Sequence, residues 1–533
     1  MRAHHTSQVA QTSGVARKLA RTYAAVFLVA ICLPVVRLAV GGSTSGADRE
    51  LRRAEDFPKL SADPVSWASF ARGFTRWYAD HFGYRSELLH QNSLVKWIGL
   101  ASSPSEDVIC GRDDWVFFKG NGTLDQARGR RPFEPGQIDA WLAMLEQRRA
   151  WLAERGCDYL FVVAPSKASV YPDYLPAGHE SVGPSRLDQL FEALTERSEV
   201  PSLDLRQALI EERANDRGGD WTYYPLGTHW TWRGALRGWR EIVAAVPEVF
   251  DAAPPALETI PRTLRPDKQG DSWGSRLYIE DQLRQEVWAM RVPDPRSAEK
   301  LDYGWHGTRY AALDDGFQGP RVMLFHDSFG TALKGFLARS CAPLTCFWTA
   351  NWEAAWIDAE GPDLVIDLFV ERTLMGWKPA AMELETQGVL GAAFEIAPTP
   401  LWAITEDEPA SVWESRSKSL HARGAHVGDG VEVRGVQPRG AKGFVRLPDL
   451  SGKVGEECLI ALDVESEQGG MLHIKLGARD RRQKDLAWAF AQPGRQTLFF
   501  CLRLPSESRE IWLRSSKAGW TLFGMEARRA SAP

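Results

Sequence analysis

Apolar and polar positions divide the chain into an apolar opening, a long stretch of mixed helix and strand periods, and a tail of short alternating runs. Residues 22–36 (TYAAVFLVAICLPVV) are almost wholly apolar. The run reaches Val40 if Arg37 extends its long side chain back to the polar interface, and it predicts a membrane-type helix. GGSTSG at 41–46 reads as a flexible tether. Beyond it the spacing predicts helices over about 64–80 and 84–99, then a hairpin within 108–122 (VICGRDDWVFFKGNG). From residue 135 the pattern alternates. A helix over 136–155 leads into the continuous apolar run 159–164 (YLFVVA), which ends in Pro165-Ser166-Lys167. A helix near 184–197, a short strand at 202–205 and a helix from Thr231 past Trp239 follow. Strands are predicted again at 321–325 (RVMLF) and 364–368 (LVIDL). Continuous apolar strands separated by helices indicate an α/β fold with a buried parallel sheet and flanking helices. Residues 255–318 carry few periodic elements and read as an insertion. Past 400 the runs GFVRLPD, CLIALDV, MLHIKLG, QTLFFCLRL, EIWLRSS and WTLFGMEA describe an antiparallel β-sandwich. The expected division is 1–46 for tail, apolar helix and tether, 47–400 for the α/β domain, and 401–533 for the sandwich.

Charge adds a direction to the apolar opening. Arg17, Lys18 and Arg21 precede it, which keeps the amino end in the cytoplasm and sends the rest outward. The helix is either an inner-membrane anchor or a cleaved signal, and no small-x-small cleavage site follows the run. The expected location of the bulk of the chain is the periplasm. The net charge is −5, with both signs mixed along the chain; no basic stripe points to nucleic acid. None of the seven cysteines stands in a zinc-type spacing, and neither a metal nor a cofactor is expected. Cys458 and Cys501, both in strand-like runs, form the candidate disulfide. The chain has 22 tryptophans, a residue that offers flat apolar faces to sugar rings and, more commonly, fills cores. Trp488, Trp512 and Trp520 are the candidates for sugar stacking in the tail.

Two places carry candidate chemistry. Ser328, in His326-Asp327-Ser328-Phe329-Gly330, follows a buried strand and precedes a helix. A serine there is either an N-cap or a nucleophile standing near backbone N–H groups that stabilise an oxyanion. His229, in Tyr223-Tyr224-Pro225-Leu226-Gly227-Thr228-His229-Trp230, is either a packed histidine or the base that such a serine needs.

VICGRDDWVFF, VVAPSKASVYPDYLP, THWTWRGA, VMLFHDSFG and PDLVIDLFVER, in that order, resemble the alginate O-acetyltransferase family of SGNH-like proteins over roughly 55–375. The resemblance implies an SGNH-like fold and a serine that takes an acetyl group and passes it to a sugar hydroxyl. It places the nucleophile on Ser328 and the base on His229. It further implies an exported polysaccharide as substrate, a membrane-embedded protein that supplies the acetyl group, and in some members a carbohydrate-binding sandwich. Hydrolysis of acetyl esters would use the same groups. The family's acid, however, falls on Gly227. Another carboxylate (Asp204, Asp220 or Glu371) replaces it, or a backbone carbonyl orients the ring, or the chain is a non-catalytic polysaccharide-binding or scaffold relative. Asp327 is expected to brace the nucleophile loop, and His326 to pack within it.

Overall fold

The computed structural model describes residues 2–40, 54–59, 65–100, 102–250, 263–267, 271–291, 298–301, 307–310, 318–350, 352, 354–376, 386–397, 399–404, 426–427, 430–433, 444–446, 457–466, 470–476, 484–491, 493–503, 511–515 and 520–529. The tether expected at 41–46 lies outside them. Helix α1 (Arg2–Ala39) contains a 21-residue apolar span, Lys18–Leu38, long enough to cross a bilayer. Helices α2 (Val65–His81) and α3 (Arg85–Leu94) meet at a corner containing Gly83, and α3 continues as a wider π-turn over Val95–Gly99. The expected hairpin is present as β1 (Val108–Cys110) and β2 (Val116–Phe118).

The α/β domain then unfolds in chain order. Helix α4 (Gln137–Ala153) leads to β3 (Asp158–Ala164), α5 (Arg186–Arg197), β4 (Ser202–Asp204), α6 (Arg206–Arg213) and α7 (Trp232–Ala245). Strands β5 (Thr263–Asp267), β6 (Val287–Arg291), β7 (Ala298–Leu301) and β8 (Gly307–Tyr310) come next. Strand β9 (Val322–His326), α8 (Gly330–Leu337), β10 (Leu344–Phe347), α9 (Ala354–Glu360) and β11 (Leu364–Val370) complete it. The sheet order is β4-β3-β11-β9-β10-β8-β7. Neighbours from β4 through β10 run parallel, whereas β8 and β7 add to the edge antiparallel.

Alternation along the strands builds two cores. Leu160, Val162, Val322, Leu324, Ile366 and Leu368 point into one, with Trp230, Trp239 and Phe336 from α7, α8 and the preceding loop. Phe161, Val163, Met323, Phe325 and Val365 point into the other, with Trp141, Leu145, Leu190 and Trp356. A strand buried on both faces must be apolar at nearly every position, and all seven residues of β11 are buried. The exception within it is Asp367, 0% exposed, which forms an ion pair with the buried Arg148 of α4. Its oxygens also accept from Tyr159 Oη (2.7 Å) and Trp352 Nε1 (2.9 Å). A buried charge is tolerated only when its lone pairs are used in this way.

Two expectations about this domain change. Strand β10 escapes sequence reading because Leu344–Phe347 is four residues long, directly after Pro343. The region 255–318 is more than an appendage: β7 and β8 extend the main sheet, and β5 and β6 pair as a separate hairpin.

Past residue 385 a six-stranded and a four-stranded antiparallel sheet face one another. Their inward residues, Ile460, Leu462, Leu498, Phe500 and Leu522 from one and Leu472, Ile474, Ala489 and Leu513 from the other, share one core. Strand Thr399–Ile404 straddles the border expected at 400, and helix Thr386–Ile396 packs on the outer side of the same sheet through Phe394 against Leu459 and Ala461. The expected Cys458–Cys501 disulfide is absent. The register pairs Cys458 with Leu502 and Leu459 with Cys501. The two cysteines therefore project from opposite faces of the sheet, where no bridge can form. Trp520 is 2% exposed and is a core residue rather than a sugar platform. The side chains of Trp488 and Trp512 lie outside the described residues.

Candidate active site

The histidine arrives on a tight hairpin. Tyr223 bridges Trp230 across it, Tyr224 N donates to His229 O (3.1 Å), and Gly227 N donates to Tyr224 O (3.2 Å). Three surrounding elements hold this hairpin. The Tyr223 hydroxyl donates to Pro165 O (2.6 Å) at the end of β3. Val116 N of β2 donates to Pro225 O (3.0 Å). The Lys167 ammonium, 4% exposed, donates to the carbonyls of Tyr224 (2.9 Å), Pro225 (2.7 Å) and Gly227 (2.6 Å). Burial pushes the Lys167 amine down and the Asp271 charge pulls it up. All three N–H bonds exist together only in the charged form, so the geometry is that of a buried cation.

The serine stands just past the end of β9, ahead of α8. Asp327 Oδ1 accepts from Phe329 N (2.9 Å) and Oδ2 from Val370 N (2.8 Å), which ties the serine loop to the end of β11. Burial raises the Asp327 carboxyl while these two amides lower it. Trp230 Nε1 donates to Phe329 O (3.1 Å) and so joins the histidine hairpin to the serine loop.

This scaffold brings together two groups that lie 99 residues apart in the chain: Ser328 Oγ is 2.7 Å from His229 Nε2. The other ring nitrogen, His229 Nδ1, is 2.7 Å from Asp271 Oδ2. An ionised carboxylate only accepts, so Nδ1 carries the proton, and Nε2 is left to accept the serine O–H. Asp271 Oδ2 also accepts from Thr228 N (2.5 Å) and His229 N (2.8 Å). Burial works to raise the Asp271 carboxyl. The hydrogen bond and charge of His229, with the two backbone amides, outweigh that and hold it well below the usual carboxylate range.

Asp271 explains the glycine at the position where the resemblance expects the acid. A Cβ built on Gly227 would lie 2.3 Å from Asp271 O, 2.4 Å from Oδ2 and 2.5 Å from Cγ, so the backbone and carboxylate of Asp271 together fill the space that a side chain at 227 would need. Its own segment is fixed by Trp273 N donating to Leu226 O (2.9 Å) and by Gln285, whose Nε2 donates to Asp271 O (3.1 Å) and whose Oε1 accepts from Leu226 N (3.1 Å).

None of the three carboxylates considered from sequence stands beside His229. Asp204 Oδ1 accepts from Arg206 N (2.8 Å) and Oδ2 pairs with its guanidinium. Asp220 pairs with Arg233. Glu371, 0% exposed, accepts from Ser166 N (2.8 Å), Ser169 Oγ (2.6 Å) and Gln126 Nε2 (3.1 Å). Asp271 was missed because it belongs to the stretch without periodicity. Its local signal is Gly270-Asp271-Ser272-Trp273-Gly274, a turn-forming run around a single carboxylate.

His326 packs beneath the loop, 1% exposed, with Nδ1 2.6 Å from Asp327 O. Burial pushes its imidazole down to about 4. Its unfolded value is near 6.5, so its neutral form stabilises the fold fully above pH 6.5, and that contribution is lost as pH falls toward 4. Urea unfolding at pH 7 and pH 5 is expected to show roughly 2 kcal/mol more pH dependence in the native chain than in His326→Gln. Equal dependence in the two would remove His326 from the acid sensitivity of the fold.

Ser328, His229 and Asp271 open onto a cleft of about 650 Å³. Tyr224, Trp232, Tyr310 and Trp348 line its walls with Lys334 at one side, and Trp348 is 45% exposed. Sequence reading had not singled out these wall residues. Among the described residues no group of His, Cys, Asp and Glu side chains is arranged to hold a metal ion.

Residues 108–340 match the family model described as SGNH hydrolase-like domain, acetyltransferase AlgX. No curated protein sequence matches the chain significantly. Among solved structures, the chain is similar to Pseudomonas aeruginosa AlgX, at 14% identity over 82% of this chain and 97% of that one (TM-score 0.36). It is also similar to the O-acetyltransferase domain of Pseudomonas putida AlgJ, at 18% identity over 51% and 93% (TM-score 0.35). Bacillus cereus PatB1 carrying a sulfonyl adduct matches at 12% identity over 52% and 100% (TM-score 0.37).

Proposed function

We propose, from the match of residues 108–340 to the model of the SGNH hydrolase-like acetyltransferase domain, that the chain transfers acetyl groups to hydroxyls of an exported polysaccharide through an acyl-enzyme on Ser328. The observation that carries this reading is the unbroken line of hydrogen bonds from Asp271 through His229 to Ser328. In the first half-reaction Ser328 Oγ attacks the acetyl carbonyl as His229 Nε2 takes its proton, and Asp271 stabilises the imidazolium that forms. The negative charge on the carbonyl oxygen develops beside the amino end of α8, whose dipole favours it. The leaving group takes the proton from His229. A sugar hydroxyl then gives its proton to Nε2 and attacks the acetyl carbon, and Ser328 leaves and is reprotonated. Water in place of the sugar would make the same site an esterase.

The aromatic walls of the cleft support a carbohydrate acceptor, since sugar C–H faces stack on Trp and Tyr. The charge pattern around Lys18–Leu38 supports export with the domain on the periplasmic side, anchored by that helix. A membrane-embedded protein that hands over the acetyl group fits this placement. The acid vacancy at Gly227 was the argument for a non-catalytic relative, and the Asp271 carboxylate beside His229 Nδ1 counts against it.

The test is to incubate the full chain with p-nitrophenyl acetate, quench it, and map acetylated peptides, then repeat with an acetyl-accepting oligosaccharide. The expected result is acetyl on the tryptic peptide 322–334, lost in Ser328→Ala and discharged faster when oligosaccharide is present. Equal ester turnover by the native chain and Ser328→Ala, with no acetyl on that peptide, would sink the reading.

A further inference from the structure

The anchor helix packs against the body of the protein. Pro34 of α1 is buried, and the backbone at Gly83 approaches it so closely that a Cβ there would collide with the Pro34 carbonyl and come within 2.8 Å of Arg37 Cβ. The Arg37 guanidinium lies over the Tyr84 ring at 5.4 Å. Pro34 sits four residues before the end of the apolar span at Leu38. At about 1.5 Å of rise per residue, the corner between α2 and α3 therefore meets the helix about 6 Å below the outer edge of the span. That is the depth at which amphipathic helices rest in the boundary between headgroups and acyl chains.

The helix leaving this corner has the surface such a position requires. Its inner face, with Leu94 and Trp97, packs on the cluster of Val108, Leu226, Trp273 and Ile279. Arg85 Nη1 donates to Tyr278 Oη (2.9 Å), and His90 Nδ1 lies 2.5 Å from Tyr278 O. Leu88 and Val95, seven residues apart, share a stripe turned away from this cluster, and Ile98 projects from the π-turn beside it; they are exposed by 54%, 59% and 65%. Leu100 at its end is 67% exposed, and Phe57 and Trp67, on and beside α2, are 56% and 58% exposed. Large apolar side chains grouped in this way are uncommon on a surface that faces only water. The corner also holds Tyr78, Phe82 and Tyr84, the residue types that gather at membrane interfaces.

We propose that the outer face of the helix from Arg85 to Gly99, with Phe57 and Trp67, lies in the outer interface of the same bilayer that Lys18–Leu38 crosses. The occupant of this face is lipid. The chain is thus seated on the membrane as well as tethered to it. The active site shares that seat, because Tyr278, which holds α3, belongs to the same segment as Asp271, the partner of His229. The inference rests on the membrane-spanning reading of α1 and is independent of the acetyl-transfer reading, so either can fail alone.

The test reconstitutes the full chain alone in vesicles of phosphatidylethanolamine and phosphatidylglycerol doped with a phosphatidylcholine that bears a photoreactive group on its acyl chain. After irradiation the lipid adducts are mapped by peptide mass spectrometry. The expected result is adducts on the tryptic peptides 86–96 and 97–112 as well as on the anchor, with severalfold fewer on residues 86–112 in Leu88→Glu/Ile98→Glu. A circular dichroism spectrum and melting temperature matching those of the native chain report that the variant is folded. Adducts confined to the anchor would overturn the proposal, and so would unchanged labelling of 86–112 in the double variant.

Discussion

Replacing Asp271 by Asn is expected to lower turnover of a soluble acetyl ester by about 10⁴-fold, the size of the loss seen when the acid of a well-studied serine triad is neutralised in place. The geometry explains why the loss should fall on turnover rather than on folding. An amide oxygen at 271 still accepts from Thr228 N and His229 N, which lie 2.5 Å and 2.8 Å from the present carboxylate oxygen. The hairpin is therefore retained. What disappears is the negative charge beside Nδ1, which stabilises the imidazolium formed as Nε2 takes the serine proton. KM should change little, because Asp271 acts on the substrate only through His229. A turnover within tenfold of the native chain, with an unchanged melting temperature, would mean that the carboxylate is dispensable and that the backbone alone orients the ring.

The second large effect is expected from a single methyl group. In Gly227→Ala the new carbon would lie 2.3 Å from the Asp271 backbone oxygen and 2.5 Å from Asp271 Cγ, far inside contact distance, and one of the two residues must move. The hairpin is fixed by Lys167, Val116 and Tyr223, so the carboxylate is displaced. Misplacing a catalytic group by about 1 Å can cost about 10²-fold in rate, and a loss of at least that size is expected here. If Gly227→Ala retains native turnover, a side chain at 227 and Asp271 do not compete for one space.

These substitutions also mark where sequence reading stops. The parallel sheet was legible because strands buried on both faces must be apolar at nearly every position, as 159–164 are throughout and 364–368 are apart from Asp367. Ser328 and His229 could be named because each lies beside a strongly patterned element, one at the end of β9 and one before α7. Asp271 had no such marker. Its position is set by hydrogen bonds to Leu226 and Gln285, and pairings of that kind leave no period in the chain. The same limit applies to the cysteines. The pattern put Cys458 and Cys501 in strand-like runs, but only the register shows that they face opposite ways. Strand β10 was too short for a period to develop.

The Arg148–Asp367 pair, joining residues 219 positions apart, bears on how the domain assembles. Asp367 lies at the middle of the strand between β3 and β9, and Arg148 comes from a helix that precedes them all in the chain. A half-built domain that had laid down β11 without α4 would bury a lone carboxylate. One that had closed α4 against an incomplete sheet would bury a lone guanidinium. Either costs several kcal/mol, a large share of the total stability of a typical domain. Partly assembled states are therefore penalised from both sides, and the earliest and latest portions of the domain are made to depend on each other. A charge in the core acts here as a source of cooperativity, raising the energy of the fragments more than it strengthens the whole.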